Sequence, residues 1–485
     1  MPVLTSSFRM APSRRHRPGL RFVLAIAVLA LTPAGLLLGP ALTSPEVSAT
    51  TTGRPDVVLV VTDDQRVDTL DGMTAVQDLL VRQGTWFRQG MVPTALCCPS
   101  RATILTGRYA HSTGVWGNGD VGGSEFGGWS RFHSTRNEER TIATALGAQG
   151  YRTGLFGKYL NYFGDHAPMS WTPPGWDVFT AIEATHGAYY DYRLTDGTRH
   201  GTAPEDYSTD VLRDRAVEFI EQSEPGRPLF VYFAPFGPHK PYTPASRHVG
   251  AWEGRLPPFE PPAAVYDIRD NPAWLTSREH VTDAQVDDIR QAQHEALMAV
   301  DGAVATLVET LRETGRLANT LFVFTSDNGY LWNEHRQVGK DVPYAAAVRV
   351  PLVVRWDGHV AAGAVDDRLA LNVDLAQTVS DAAGTPMTTD GHSLLSSDRR
   401  DGFVLEAAPG YGGRPAYCGW RTTRWMYVRY ATGERELYDY AADPWETVNR
   451  VDDAAYADVV AQLDREARAA CVPAPPGFDW GMVTR

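Results

Sequence analysis

The chain has 485 residues, 43% hydrophobic and 21% charged, the composition of a soluble globular protein long enough for a large core and more than one structural unit. Its formal charge of −13 supplies no broad basic face, which excludes nucleic acid as the main partner; any functional positive charge must be local.

Residues 1–49 read as an export signal, which makes the mature protein secreted or extracytoplasmic. Arg9, Arg14, Arg15, Arg17 and Arg21 form a basic region, Phe22 to Leu38 is apolar but interrupted by Pro33, and Val47-Ser48-Ala49 suits cleavage. The alternative is an uncleaved anchor, which the short, proline-broken run disfavours, so no stable membrane span is expected in the mature form. Arg14-Arg15 permits a twin-arginine route, and the export route stays open. No cysteine lies in this segment, which excludes a lipid-anchored cysteine start. Losing it, with its five arginines and Glu46, moves the charge from −13 to −17.

Asp56 to Thr62 is a continuous apolar, β-branched run, the pattern of a strand buried on both faces, and Asp63-Asp64-Gln65-Arg66 follows at once. In open parallel sheets ligands gather beyond the carboxyl ends of strands, so paired acids there suggest a cation site. An Asp that caps the next helix is the plainer reading.

Leu96 to Arg108 is the stretch around which the rest is organised. Pro99 suits a first helical position, Ala102 to Leu105 continue one short turn, and Gly107 suits the position just past its end, which places Cys97 at a helix N-terminus. Such a terminus favours anions, and Arg101, one turn in, adds a forked donor. From the residues alone, this is equally a buried cysteine pair opening a short helix, or a nucleophilic thiol.

Further buried-strand patterns each deliver polar groups at their carboxyl ends. Tyr151 to Phe156 ends in Gly157-Lys158, Pro228 to Phe233 leads to Pro238-His239-Lys240-Pro241, and Thr320 to Thr325 runs into Ser326-Asp327-Asn328-Gly329. Leu297, Val300, Val304, Leu307 and Leu311 recur at helical spacing before Gly315, giving a crossover helix whose stripe serves core packing. Glu334-His335-Arg336 and Gly339-Lys340 precede another strand, Arg349 to Val354. Alternating strands and helices predict an α/β domain with a mostly parallel sheet over 50–398. Residues 184–208 and 250–280 lack periodicity and are substrate walls or plain surface insertions.

From Arg399 the runs are short and alternating. Trp425 to Tyr430 and Glu436 to Tyr440, with Gly433 in the turn, predict a small antiparallel sheet, and Val451 to Ala470 a closing helix, in a subdomain over 399–485. Cys418 and Cys471 are the natural disulfide pair of an exported chain.

Counted from Cys97, the run reads Cys-x-Pro-x-Arg and then Leu-Thr-Gly, and this resembles the signature of the formylglycine-dependent sulfatases, in which that cysteine is oxidised to an aldehyde. Cys98 does not fit that register. The resemblance extends from about Pro55 to Asn449, because Asp63 to Arg66, Gly157-Lys158, Pro238-His239-x-Pro241, Thr325 to Gly329, Gly339-Lys340, Arg349 to Leu352, and Leu437-Tyr438-Asp439 with Asp443-Pro444-x-Glu446 follow in the family's order. It implies an alkaline-phosphatase-like fold: a large mixed, mostly parallel sheet flanked by helices, with a small C-terminal antiparallel subdomain.

The resemblance also implies chemistry. Asp63, Asp64, Asp327 and Asn328, completed by modified Cys97, would hold one hard divalent cation, Ca²⁺. The hydrated aldehyde, 3-oxoalanine formed from Cys97, would attack sulfur with one hydroxyl, expel the alcohol, and release inorganic sulfate by collapse of the second. Lys158 and Lys340 would contact sulfate oxygens, His239 would bond the sulfate or protonate the leaving oxygen, and Arg101 would steady the hydrated aldehyde. The implied partners are a sulfate-ester substrate and a formylglycine-generating maturation enzyme.

Two departures stand out. Leu160 occupies a position where many sulfatases place a histidine, and Tyr344-Ala345-Ala346-Ala347 lacks the acid often found before Arg349. Gly157-Lys158-Tyr159-Leu160-Asn161 and Pro173-Pro174-Gly175-Trp176 resemble the branch acting on N-acetylglucosamine 6-sulfate. Competing readings are a related metal-dependent phosphatase or phosphonate hydrolase, and a glycan-binding protein that has lost catalysis.

Overall fold

The computed structural model describes residues 53–119, 126–168, 170–183, 189–277 and 281–481. The export segment expected over 1–49 lies outside them, as do parts of the irregular stretches at 184–208 and 250–280. Among the described residues no helix is long and apolar enough to cross a membrane.

In chain order the principal elements begin with β1 (Asp56–Thr62), β2 (Thr85–Met91), α1 (Cys97–Thr106), β3 (Arg152–Gly157), β4 (Val178–Ala181), α2 (Ser208–Glu221) and β5 (Leu229–Ala234). Then come α3 (Asp283–Glu313), β6 (Thr320–Ser326), β7 (Leu352–Arg355), β8 (Ala364–Leu371) and α4 (Asp374–Ala383). The chain closes with β9 (Phe403–Ala407), β10 (Tyr417–Arg421), β11 (Trp425–Tyr430), β12 (Arg435–Asp439) and α5 (Ala457–Ala470).

Strands β1 to β8 form one sheet in the order β8-β2-β7-β6-β1-β5-β3-β4, and β7 alone runs against the others. This is the mixed, mostly parallel sheet that the alternation of elements predicts. In β1 the side chains alternate between two apolar layers, Val57, Leu59 and Val61 on one face and Val58 and Val60 on the other. The first layer is covered by α1 and α4, the second by α2 and α3, so every residue of β1 is buried. Helix α3 carries the anticipated stripe, and its start is fixed by a capping box in which Thr282 accepts from the Gln285 N–H while Gln285 accepts from the Thr282 N–H.

Helix α1 begins at Cys97, as expected, but runs for ten residues, all buried, instead of one short turn after Pro99. A proline two residues after the helix start costs nothing there, because the first N–H groups of a helix have no intrahelical partner to lose. Gly107 closes it in the left-handed conformation, φ 68°.

Strands β9 to β12 form the antiparallel C-terminal sheet, with α5 packed on it. The closing helix starts later than expected, because Val451 to Tyr456 form a turn in which Asp453 accepts from the Ala455 N–H. This sheet is not separated from the large one: Met91, Leu371, Leu405 and Tyr417 share a single apolar cluster.

Cys418 of β10 is bonded to Cys471, just past α5, across a separation of 53 residues. A loop of that length limits the unfolded chain by about 4 kcal/mol in the chain-entropy model. Replacing both cysteines with serine should lower the unfolding free energy by that order, read from denaturant curves with midpoint and slope both fitted, since the freed chain unfolds to a more open state. Identical unfolding free energies would show that the bond adds nothing.

Candidate functional site

Strands β1, β3, β5 and β6 are mutually parallel, so their carboxyl ends share one edge of the sheet. That edge receives Asp63, Lys158, His239 and Asp327. Consecutive residues of a strand face opposite sides, yet the carboxylates of Asp63 and Asp64 meet, because Asp64 is left-handed at φ 64° and breaks the alternation. Its N–H donates to Asp327 Oδ1 at 3.2 Å, which joins the β1 and β6 ends. Gly157 is indispensable before Lys158: at φ 121°, an added Cβ would lie 2.0 Å from Ala234 O.

Cys97, at the start of α1, faces this edge and is fully buried. Its Sγ lies 3.6 Å from Asp63 Oδ1 and accepts from Lys340 Nζ at 2.7 Å. Lys340 also pairs with Asp64, and Lys158 Nζ donates to Asp63 Oδ2 at 2.5 Å. Arg101 Nε donates to Asp327 Oδ2 at 2.7 Å, and its Nη1 donates to Lys158 O at 3.1 Å. His239 Nε2 sits 3.7 Å from Asp64 Oδ2, while Nδ1 bonds Lys240 O at 2.6 Å and so carries the proton. Asn328 Nδ2 donates to Asp64 Oδ1 at 2.7 Å. All the candidate residues therefore gather in one place.

The fit to a metal can be tested on these atoms. Ligand atoms of Asp63, Asp64, Cys97 and His239 lie within 4.8 Å of one another. Asn328 Oδ1 is buried with no partner among the described residues, an omission worth about 1–3 kcal/mol that a cation would remove. The carboxylates of Asp63 and Asp64 and the amide oxygen of Asn328 suit a hard divalent ion, whereas Asp327 stands outside that group, its Oδ1 accepting the Asp64 N–H and its Oδ2 accepting from Arg101 Nε. His239 joins the group geometrically, although the resemblance gives it to the substrate. Formal charges of Asp63, Asp64 and Asp327 are balanced by Arg101, Lys158 and Lys340, so the site is near neutral and gains net positive charge if a divalent ion enters.

Burial opposes the charge on Asp63, but Lys158, His239 and Arg101 outweigh it and hold the carboxyl well below its ordinary range. Burial also opposes the charge on both lysines, yet Asp63 beside Lys158 and Asp64 beside Lys340 keep both ammonium groups protonated. Burial pushes the Cys97 thiol up to about 12, despite Lys158 and Lys340 nearby. An unmodified thiol here is neutral at pH 7, which disfavours the thiolate-nucleophile reading. Burial depresses His239 as well, against Asp63 and Asp64.

Sequence reasoning missed Asn118, whose Oδ1 accepts the Cys98 N–H at 2.8 Å, and the buried pair Asp341–Arg414 beside Lys340. Asn118 sits between glycines in an irregular turn, with no local pattern pointing to α1.

The sheet and the charge cluster at its strand ends define an alkaline-phosphatase-like α/β protein. A family model described as Sulfatase matches residues 55–385, and the chain belongs to that family. It is 34% identical to the N-acetylglucosamine-6-sulfatase of Homo sapiens over 71% of this chain, and spans 64% of that protein's length. It is 26% identical to the N-acetylglucosamine-6-O-sulfatase of Bacteroides thetaiotaomicron over 84% of each. A protein solved in complex with its substrate D-glucosamine-2-N,6-O-disulfate superposes with a TM-score of 0.74 at 23% identity, covering 86% of this chain and 97% of that one. The phosphonate monoester hydrolase of Agrobacterium radiobacter superposes at 0.69 with 21% identity, covering 86% and 95%.

Proposed function

We propose that this chain hydrolyses a sulfate ester to an alcohol and inorganic sulfate, with a 6-sulfated glucosamine as the substrate class. The observation that carries the reading is that Lys340 meets Cys97 while Lys158 and Arg101 meet Asp63 beside it, inside a protein whose family is known. The substrate class rests on the relatives' names and on the wording around Lys158.

Converted to formylglycine by a maturation enzyme and hydrated, Cys97 would supply one hydroxyl to attack sulfur and a second to expel sulfate. Ca²⁺ held by Asp63, Asp64, Asp327 and Asn328, together with modified Cys97, would supply charge that favours the ionised hydroxyl. The chain's own residues then divide the work. Lys158 and Lys340 now pair with carboxylates; once those oxygens are shared with a divalent cation, both ammonium groups are available to sulfate oxygens. Arg101 is fully buried and anchored on Asp327 and the Lys158 carbonyl, so it holds α1 and the β3 end in register with Cys97. His239, with Nδ1 fixed on Lys240 O, presents Nε2 to bond the sulfate or to protonate the leaving oxygen. Leu160 lies in the apolar core, so the chain works without a polar side chain at that position.

Residues 1–49 act, in this reading, as an export signal, residues 50–398 as the catalytic domain and 399–485 as its C-terminal subdomain. Relatives named extracellular sulfatases support a secreted location.

A sulfate monoester and a phosphonate monoester of the same alcohol distinguish the reading from its nearest rival. The sulfate should be preferred in kcat/KM by at least about tenfold, a 1.4 kcal/mol difference in transition-state binding. A higher value on the phosphonate overturns the assignment. Absence of any hydrolysis by protein shown to carry the aldehyde favours a glycan-binding role.

A further inference from the structure

Lys340 reaches Cys97 from a turn with little regular structure to hold it, since only the two-residue strand Val338–Gly339, paired with Leu331–Trp332, precedes it. The next residue supplies the anchorage. Asp341 is buried and left-handed at φ 69°. Its N–H donates to Ala95 O at 2.8 Å, two residues before Cys97. Its Oδ1 accepts from Arg414 Nη2 at 2.7 Å, and its Oδ2 accepts from the Tyr411 N–H at 2.9 Å.

Arg414 is itself 1% exposed. Nη2 also donates to Ala408 O and Nη1 to Pro415 O, each at 2.7 Å, and the guanidinium lies over the Tyr417 ring, 4.9 Å from its centroid. Gly410 is required for this packing, because an added Cβ would lie 2.0 Å from Asp341 Oδ2 and 2.4 Å from Arg414 Nη2. Asp341 thus ties together the segment entering α1, the turn bearing Lys340, and the loop between β9 and β10.

A buried ion pair rarely adds net stability over apolar residues of the same volume, so stability alone does not account for a charged pair here. Its place in the chain does. We propose that Asp341, held by Arg414, is a positioning residue that fixes where Lys340 meets Cys97. The loop Gly410–Arg414 of the C-terminal sheet then belongs to the working site without touching the reacting atoms. In naming the reaction served, this inference rests on the sulfate-ester reading above.

The test uses Asp341→Asn in the full chain, since Asn tolerates the left-handed backbone while leaving Arg414 without its counter-charge. Lysine reactivity toward acetic anhydride, read peptide by peptide by mass spectrometry, needs no turnover. Labelling of Lys340 should rise at least about tenfold while that of Lys158 stays unchanged, as expected when one side chain loses its support and the fold does not. Activity should fall by about 10- to 100-fold in kcat/KM, the range a misplacement near 1 Å produces. The same substitution should cost nothing further in a Lys340→Met background, where the group it positions is already gone.

Equal rises at both lysines, no rise at either, or additive losses in the double variant overturn the proposal. Should Asp341→Asn fail to fold, Arg414→Lys keeps the charge but loses the forked geometry, and the same outcomes apply. A wild-type protein inactive on sulfate esters would sink the reading of function while leaving the labelling result to decide the positioning role.

Discussion

Cys97→Ala should lower sulfate release by at least about 10⁴-fold, the scale on which removing a covalent nucleophile acts, while the protein stays folded. The expectation combines two properties of this position. Sγ lies between Lys340 Nζ and Asp63 Oδ1, where the proposed scheme places the nucleophile. The unmodified thiol is pushed up to about 12 by burial, so it is protonated at neutral pH and a poor nucleophile. The proposed scheme calls for conversion of the thiol, so the peptide from Gln89 to Arg101 should be lighter by about 18 Da at Cys97 in protein from a host with the maturation enzyme. Cys98 should be unchanged. It belongs to the apolar layer under the sheet, and its N–H is taken by Asn118. Losing one buried sulfur costs about 1 kcal/mol, so thermal melts of Cys97→Ala should move little. Turnover within tenfold of wild type, or a mass change at Cys98, would end the covalent scheme.

How much was legible in the sequence follows from how each element is buried. Strands β1, β3, β5 and β6 lie inside the sheet with both faces covered, so their apolar runs stand out and their bounds are read within a residue or two. Strands β2 and β8 lie toward one edge and escaped notice, since the exposed Arg88 and Asp367 and the half-buried Asp366 break the run. Helix α1 has no polar face, so no helical period marks its length, and only Pro99 and Gly107 punctuate it. In the C-terminal sheet the hairpin β11–β12 carries its turn glycine, whereas β9 and β10 pair across a longer, irregular loop.

The same logic governs the site. Asp63, Lys158, His239 and Asp327 each follow a recognisable strand, so chain order alone sends them to one edge. Asp341 and Arg414 are 73 residues apart in sequence, and nothing in either segment signals that the two charges meet. Long-range pairs of this kind are properties of the fold.

Removing the divalent ion should abolish turnover, and Ca²⁺ should restore it. Asp63 and Asp64, with Asp327 joined to them through the Asp64 N–H, set three carboxylates beside a site that in the proposed reaction must also admit an anion. Arg101, Lys158 and Lys340 neutralise them in the protein alone, but charges spent on carboxylates are not free for sulfate. Asn328 Oδ1, buried and unpartnered among the described residues, is open to an electropositive neighbour. Asp327→Asn tests this with little change of shape, and its effects should separate. Burial and the neighbouring Asp63 already push the Asp327 carboxyl up, so losing its charge relieves repulsion in the metal-free protein. The cost is a lost acceptor: Oδ2 accepts from Arg101 Nε and Oδ1 from the Asp64 N–H, and Asn keeps one oxygen, so one of these two buried donors is left unpaired and the ion pair with Arg101 is gone. Stability of the metal-free variant should therefore change by no more than about 1–3 kcal/mol, the scale of a hydrogen bond to a charged group. Calcium affinity, measured by calorimetry, should fall at least about tenfold, because one of three anionic ligands is gone. Turnover at saturating Ca²⁺ should recover only in part, since Arg101 no longer holds α1 through an ion pair. Full activity after exhaustive chelation, with metal analysis confirming an empty protein, would refute the metal assignment even if Cys97 carried the aldehyde.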